Sequence, residues 1–182
     1  MIKQSLPESP PLVVAGGLAN GAQVAAMLVL GASGAVLGTR FLATPESIYT
    51  PNRKNAVLAA THTVRTFVFD QVMGTVAWPA GVDGRVIFNK TLEDEAKGMD
   101  FRELKKLFAE ATQNDDTSRS AIWAGASVGL VNKICGAEVG TCNFEKLVVV
   151  AKSLLLLQTL TRELHMEIVT HLGRASVILS GN

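Results

Sequence analysis

The sequence predicts an α/β fold in which two parallel strands alternate with a helix. Two short apolar runs, residues 12–15 and residues 35–37, have the length of strands covered on both faces, as in a parallel sheet. A segment of helical composition, residues 22–30, lies between them, and glycine follows each run directly. The 182 residues are 48% hydrophobic with a formal net charge of +1, which is enough apolar chain for a sizeable core.

Composition excludes several classes of function. Charged residues make up 18% of the chain and aromatic residues 5%, so neither a strongly basic nucleic-acid surface nor a stacking platform is expected. Cys135 and Cys142 are too few for a disulfide scaffold and have no neighbouring histidine pair, so we expect reduced thiols and no metal site. The most apolar run, residues 147–160, is shorter than the about 20 residues that cross a bilayer. Residues 1–11 lack the apolar segment of a signal peptide. We therefore expect a cytoplasmic chain without nucleic-acid or membrane partners.

The first helix has recognisable start and stop signals. Asn20 is a favourable N-cap, and Gln23 stands three residues later as the partner in a capping box. Gly31 is placed just after the last helical residue, where a glycine commonly ends a helix. Together with the flanking apolar runs, these signals predict a compact β–α–β unit.

The two glycine turns after the strands are the best candidate for chemistry. Parallel strands end at the same edge of a sheet, so the backbone N–H groups of Gly16, Gly17 and Gly38 are expected to point at one spot. The hydroxyl of Thr39 and the charge of Arg40 follow the second turn directly. Loops after the last two strands of a (β/α)8 barrel use this arrangement to hold a phosphate. The simpler alternative is two ordinary turns whose glycines serve shape alone.

Further helices and one irregular region are predicted downstream. Thr44, followed by a proline and an acidic residue, predicts a helix start, and residues 52–60 predict another helix. Residues 101–112 have the apolar spacing of an amphipathic helix. The tail from residue 143 onward is expected to be helical.

Residues 63–89 predict an excursion of short strands and loops between the helical parts. Alternating side chains near its start and turn signals near its middle support this interpretation. Two of its carboxylates, Asp70 and Asp83, are interpreted as structural partners of the nearby Arg65 and Arg85.

Four separated motifs resemble the nitronate monooxygenase family, formerly called 2-nitropropane dioxygenases. In chain order they are V-V-A-G-G-L-A-N-G at 13–21, L-G-T-R-F at 37–41, V-R-T, F-D, G-T, W-P and D-G-R within 64–85, and W-A-G with V-G-L within 123–130. The resemblance covers residues 12–131, and Trp78 within it is expected to be partly buried. Flavin-dependent enoyl-acyl-carrier-protein reductases share the first two motifs and are the nearest alternative.

The resemblance implies a TIM barrel, of which this chain holds the C-terminal portion with strands 7 and 8 and their helices. It also implies FMN as the cofactor, with alkyl nitronates oxidised by dioxygen to carbonyl compounds and nitrite. The implied cofactor-binding residues lie at the ends of the two strands. Gly16, Gly17, Gly38 and Thr39 are implied to contact the FMN phosphate, and Ala15 and Leu37 are implied to flank them. No catalytic residue is implied here, because His62, His165 and His171 match no catalytic position of the family. The family uses a histidine as its catalytic base, and the resemblance implies that this histidine lies upstream, with the first six strands of the barrel.

This sequence departs from the family pattern at two positions near the implied flavin. Val36 stands where the family often has glutamine, and Ala126 follows Gly125 where members often have glutamine. The resemblance therefore does not imply a polar side-chain contact with the flavin at either position.

The chain divides into three expected regions. Residues 1–62 form the last two βα units of an FMN-binding barrel, residues 63–143 form the excursion and return, and residues 144–182 form a helical tail. The implied partners are a small nitronate, dioxygen, and either a partner chain or an N-terminal half. Two alternatives stay open, namely a non-catalytic fragment and an enoyl-acyl-carrier-protein reductase-like flavoprotein fragment.

Overall fold

The computed structural model describes residues 10–137 and shows an α/β architecture with two small sheets. Strands β1 (Val13–Ala15) and β2 (Gly34–Val36) pair in parallel, whereas β3 (Thr63–Thr66) and β4 (Gly84–Ile87) pair antiparallel. The helices are α1 (Gly21–Val29), α2 (Thr39–Leu42), α3 (Pro51–Ala59), α4 (Val68–Met73), α5 (Lys90–Ala96) and α6 (Phe101–Gln113), followed by a 3-10 turn (Val128–Leu130). The predicted α/β class is confirmed, and no closed barrel is present within the described residues. The predicted helical tail, residues 144–182, lies outside them.

The β1–α1–β2 unit follows the local signals of its sequence. The Asn20 side chain accepts a hydrogen bond from the Gln23 N–H at 3.0 Å. Gln23 Oε1 in turn accepts from the N–H of Ala19 at 2.8 Å, whereas in an ordinary capping box it would accept from the N–H of the cap residue itself. Gly31, with φ of +98°, follows α1 in the left-handed conformation that favours glycine. The predicted helix and its end are therefore confirmed.

The prediction of a helix starting at Thr44 is wrong. The Thr44 hydroxyl donates to the Phe41 carbonyl at 3.0 Å, and the Thr44 carbonyl accepts from the Ser47 N–H at 3.2 Å. These bonds make a turn after α2 and leave no capping geometry for a new helix. The next helix, α3, begins at Pro51, where the side chain of Thr50 caps its first turn.

The region between α3 and α5 contains the predicted short strands but also a helix that the sequence did not predict. Helix α4 is buried along most of its length and ends at Gly74, whose φ is +78°. The expected partial burial of Trp78 is wrong, because 58% of this residue is exposed. Among the described residues, no helix is long and apolar enough to cross a membrane.

Within residues 10–137, two apolar clusters form the core. One packs α3 against the 3-10 turn and comprises Ala19, Ala43, Val57, Ile122, Ala124, Val128 and Val131. The other lies under β4 and comprises Val68, Phe69, Val72, Val86, Leu92, Leu104 and Phe108. Helix α6 buries Leu104 and Phe108 on its predicted apolar face, whereas Phe101 at its start is 42% exposed.

Residues 122–124 run beside β4 and connect the two clusters. The Ile87 N–H donates to the Ile122 carbonyl at 3.0 Å, and the Ala124 N–H donates to the Arg85 carbonyl at 3.1 Å. An antiparallel bridge joins Val86 to Trp123 between these two bonds. The segment therefore extends the β3–β4 sheet and leads directly to the candidate site.

Candidate functional site

The candidate site lies where the two parallel strands end. Ala15 is opposite Val36 in the ladder, so the turns that follow them leave the same edge of the sheet. Gly16 and Gly17 have φ values of +83° and +70°, a conformation that L-residues with a Cβ rarely adopt. Gly38 has an ordinary φ of −102°, and a Cβ placed there would meet no atom within 4 Å. The first turn therefore needs glycine for its backbone, whereas the space around the second is open.

The backbone donors of these turns are unused within the described part of the chain. No hydrogen bond runs from the N–H groups of Gly16, Gly17, Gly38 or Thr39 to another residue that the structure describes. An open turn with unused N–H groups is chemically suited to an anion. The donor set thus fits an anionic group such as a phosphate.

Gly125, far downstream in the sequence, brings the two turns together. The Thr39 hydroxyl oxygen accepts from the Gly125 N–H at 2.7 Å, which leaves the hydroxyl proton free to be donated elsewhere. A Cβ placed at Gly125 would lie 3.1 Å from Thr39 Oγ1 and 3.8 Å from the Gly17 nitrogen. Gly17 and Thr39 therefore converge on one position, as the parallel strand pairing predicts, and that position requires a small residue.

Two side chains that the sequence analysis did not place at the site hold the first turn. Gln23 Nε2 donates to the Gly17 carbonyl at 3.2 Å and lies 3.4 Å from the hydroxyl oxygen of Ser127. Ser127 donates to the same Gly17 carbonyl. The sequence does not predict either contact. The capping box alone accounts for Gln23, and nothing in the spacing of Ser127 indicates a partner so distant in sequence.

Arg40 does not supply charge to the turns, so that expectation is wrong. Its side chain is buried, with 4% of the residue exposed, and it donates to the Lys133 carbonyl at 2.5 Å. The same nitrogen lies 2.7 Å from the sulfur of Cys135. Burial lowers the pKa of the Arg40 guanidinium below its usual range. Cys135 is disulfide-bonded, so the expectation of a reduced thiol is wrong at this position.

The expected pairing of carboxylates with arginines is correct for one pair. Arg65 Nε lies 2.5 Å from Asp83 Oδ1 in an ion pair. Asp70 instead accepts from the indole N–H of Trp78 at 3.1 Å, and Arg85 donates to β3. The assignment of Asp70 as an arginine partner is therefore wrong, because α4 buries this carboxylate beside neutral donors.

Among the described residues, His62 is the one histidine, and its contacts are with its own neighbours rather than with the glycine turns. His62 is exposed, stacks on Phe88 with ring centroids 6.0 Å apart, and pairs with the Thr61 hydroxyl at 3.2 Å. In residues 10–137, no group of three or more histidine, cysteine, aspartate or glutamate side chains is placed to hold a metal ion.

Known proteins with similar sequences belong to one family. A family model described as nitronate monooxygenase matches residues 7–139. The chain is 37% identical over 138 residues to the nitronate monooxygenase npaC of Metarhizium robertsii, covering 71% of the chain and 39% of that protein. It is 39% identical over 125 residues to a nitronate monooxygenase of Neurospora crassa, covering 66% of the chain and 33% of that protein. The chain thus spans between 33% and 39% of the length of these curated relatives.

Solved structures show the same fold. A nitroalkane oxidase from Streptomyces ansochromogenes has a TM-score of 0.61 at 28% identity, covering 80% of this chain and 41% of that chain. FabK from Thermotoga maritima has a TM-score of 0.60 at 24% identity, covering 85% and 48%, a likeness that shows the fold alone. Since the family model matches well over half of the residues, this chain belongs to the nitronate monooxygenase family.

Proposed function

We propose that this chain holds the FMN phosphate in an oxidoreductase that oxidises alkyl nitronates with dioxygen. One observation supports this proposal above the others: Gly17 and Thr39 converge on Gly125, so two turns with unused N–H groups meet at one place. Membership of the nitronate monooxygenase family supplies the reaction class. The parallel strands β1 and β2 would be strands 7 and 8 of a TIM barrel.

Each residue of the turns has a distinct proposed role. The N–H groups of Gly16 and Gly17 donate to phosphate oxygens from the first turn, and Gly38 and Thr39 donate from the second. Ala15 and Leu37 flank these donors at the strand ends. The Thr39 hydroxyl adds a donor, because its oxygen is already oriented by Gly125. FMN, when bound, supplies the redox chemistry, and the protein positions it.

The other parts of the active site are proposed to come from a partner chain or an N-terminal half. Val13 is 59% exposed and Val36 55% exposed, although parallel strands are usually covered on both faces. Such a polypeptide would cover these strands and contribute the general base and most of the flavin-ring pocket. Loss of a positioned general base typically costs about 100- to 10,000-fold in rate.

The phosphate role is tested by comparing FMN with riboflavin, which lacks the phosphate, in a flavin-fluorescence titration of the full 182-residue chain. We expect weak binding of FMN, weaker binding of riboflavin, and competition by inorganic phosphate. Thr39→Val removes the hydroxyl and should weaken FMN binding by about tenfold, whereas Thr39→Ser should retain most of it. Equal affinity for FMN and riboflavin would contradict the phosphate assignment.

The reaction class is tested by oxygen uptake with propyl nitronate and FMN. We expect no uptake by the isolated chain. Uptake should appear when the chain is combined with a polypeptide covering the unmatched part of the Metarhizium robertsii relative. Consumption of NAD(P)H with an enoyl thioester by that combination, without oxygen uptake, would favour the reductase alternative. Robust turnover by the isolated chain would show that it contains an unrecognised base.

A further inference from the structure

A cavity of about 280 Å³ opens beside the β3–β4 sheet, and no residue that lines it is assigned to the phosphate turns. Its volume is close to the lower end of small-molecule pockets, which range over roughly 300–1,000 Å³. The lining residues are Asp70, Trp78, Val82, Asp83, Gly84 and Trp123. The chain contains two tryptophans, and both line this cavity.

The two indoles are held in place by specific contacts. The ring of Trp123 packs edge-on against Phe69, with centroids 6.2 Å apart and planes at 74°. Trp78 donates its indole N–H to Asp70 Oδ1 at 3.1 Å, although the residue as a whole is 58% exposed. Trp123 thus forms one aromatic wall of the cavity and is held by ring packing, whereas Trp78 forms the other and is held by the hydrogen bond of its indole N–H.

The Asp70 carboxylate has hydrogen-bond donors but no cation beside it. Asp70 is buried, and its Oδ1 accepts from the Thr75 hydroxyl at 3.0 Å as well as from Trp78. Oδ2 has no hydrogen-bond partner among the described residues, and none of the ion pairs found among them includes Asp70. By contrast, the neighbouring Asp83 is neutralised by Arg65. Oδ2 is not among the fully buried side-chain atoms that lack a partner, so this oxygen of an otherwise buried residue stays accessible to a ligand.

We propose that this cavity binds a small organic cation of the alkylammonium class. The cationic nitrogen would lie against Asp70 Oδ2, and its alkyl groups would contact the faces of Trp78 and Trp123. Aromatic rings attract alkylammonium groups through cation–π interaction. A hydrated inorganic cation fits less well, because apolar walls cannot replace the water that it would lose. This inference does not depend on the proposed oxidoreductase function.

The test titrates the full chain with choline and follows tryptophan fluorescence and binding heat. Because both tryptophans line the cavity, their emission reports on its occupancy directly. We expect saturable binding of choline, and binding at least about tenfold weaker for dimethylbutanol, its neutral carbon isostere. Equal binding of the two compounds, or no choline binding at millimolar concentrations, would overturn the proposal.

Two variants identify the residues responsible. Asp70→Asn keeps an acceptor for Trp78 but removes the charge, and should weaken choline binding by about tenfold or more. Asp115→Asn, outside the cavity, is the matched control and should leave choline affinity unchanged. If Asp70→Asn fails to fold by circular dichroism, Trp78→Leu decides, since this side chain is largely exposed and its loss leaves Trp123 as the reporter. Unchanged choline affinity in Trp78→Leu, or in folded Asp70→Asn, would overturn the proposal.

Discussion

Gly84 is the position where adding a single methyl group should have the clearest effect on stability. It is the first residue of β4, and the indole of Trp123 lies directly over it. A Cβ placed at Gly84 would lie 2.7 Å from Cη2 and 2.8 Å from Cε3 of that ring, and nearer still to Cζ3. Such contacts are too short for carbon atoms, so in Gly84→Ala the indole must move.

The indole can move only by disturbing the contacts that hold it, although it also lines the cavity described above. The backbone of Trp123 is bridged to Val86, and its ring meets Phe69, which is fully buried. Inserting a methyl group that forces side chains to shift typically costs about 1–3 kcal/mol. We therefore expect Gly84→Ala to lower the free energy of unfolding by that amount, a substantial part of the about 5–15 kcal/mol of an ordinary domain.

Urea unfolding followed by far-ultraviolet circular dichroism measures this effect. Gly38→Ala is the matched control, because Gly38 also has negative φ and its Cβ would meet nothing within 4 Å. The control should change the free energy of unfolding by no more than about 0.5 kcal/mol. Combining Gly84→Ala with Trp123→Leu should cost less than the sum of the two single changes. The reasoning is refuted if Gly84→Ala is no more destabilising than Gly38→Ala.

Four further substitutions test the described contacts by urea unfolding. Asn20→Ala removes the cap of α1 and should cost about 1 kcal/mol. Phe69→Ala empties a fully buried site and should cost about 3–5 kcal/mol, whereas Phe101→Ala, at an exposed position, should cost far less. Hydrogen bonds from Ser118 lower the pKa of Asp116 in the folded protein. The stabilisation from Asp116 is thus fully present above its unfolded pKa, near 3.8, and is lost as pH falls through the lower folded value. Asp116→Asn should be less stable than the native chain at neutral pH, and the two should converge in strong acid.

Each of these expectations has its own control. Asn20→Asp should retain most of the cap, and equal losses for the alanine and aspartate variants would show that the side-chain oxygen is not what matters. Similar costs at Phe69 and Phe101 would contradict the assigned core. A stability difference for Asp116→Asn that does not change between neutral and acidic pH would contradict the lowered pKa.

The sequence analysis predicted what is decided locally. The β1–α1–β2 unit was predictable because its caps and glycines act on residues within a few positions of themselves. Helix α4 was not predicted, because the alternation over residues 64–69 favours a strand that reaches its first turn. In the fold, the apolar side chains of α4 are buried in the same cluster as Leu104 and Phe108 of α6, and this packing favours the helix. The expected helix at Thr44 failed because its hydroxyl bonds backward to Phe41. Asp70 was assigned to an arginine by proximity in sequence, whereas the fold places it beside Trp78.

The two glycine turns and Thr39 were predictable from motif and strand order, but the residues that hold them were not. Gly125 bonds to Thr39 across 86 positions of sequence, and Ser127 bonds to Gly17 across 110. Contacts of that separation depend on how distant segments pack together. No spacing rule within a single segment predicts them.

These long separations have a consequence for the order in which the molecule assembles. The turns can form early, since each depends on a few neighbouring residues, but their convergence must wait until the segment around Gly125 has docked beside β4. The entropic cost of closing a loop grows slowly with its length, by about 0.6 kcal/mol for each doubling. The long loops therefore cost little stability, but contacts between distant segments form more slowly than local ones. A chain shortened to end before Gly125 would keep the glycines and the Gln23 contact of the first turn, but it would lose the Ser127 contact and the Gly125 contact that brings the two turns to one place.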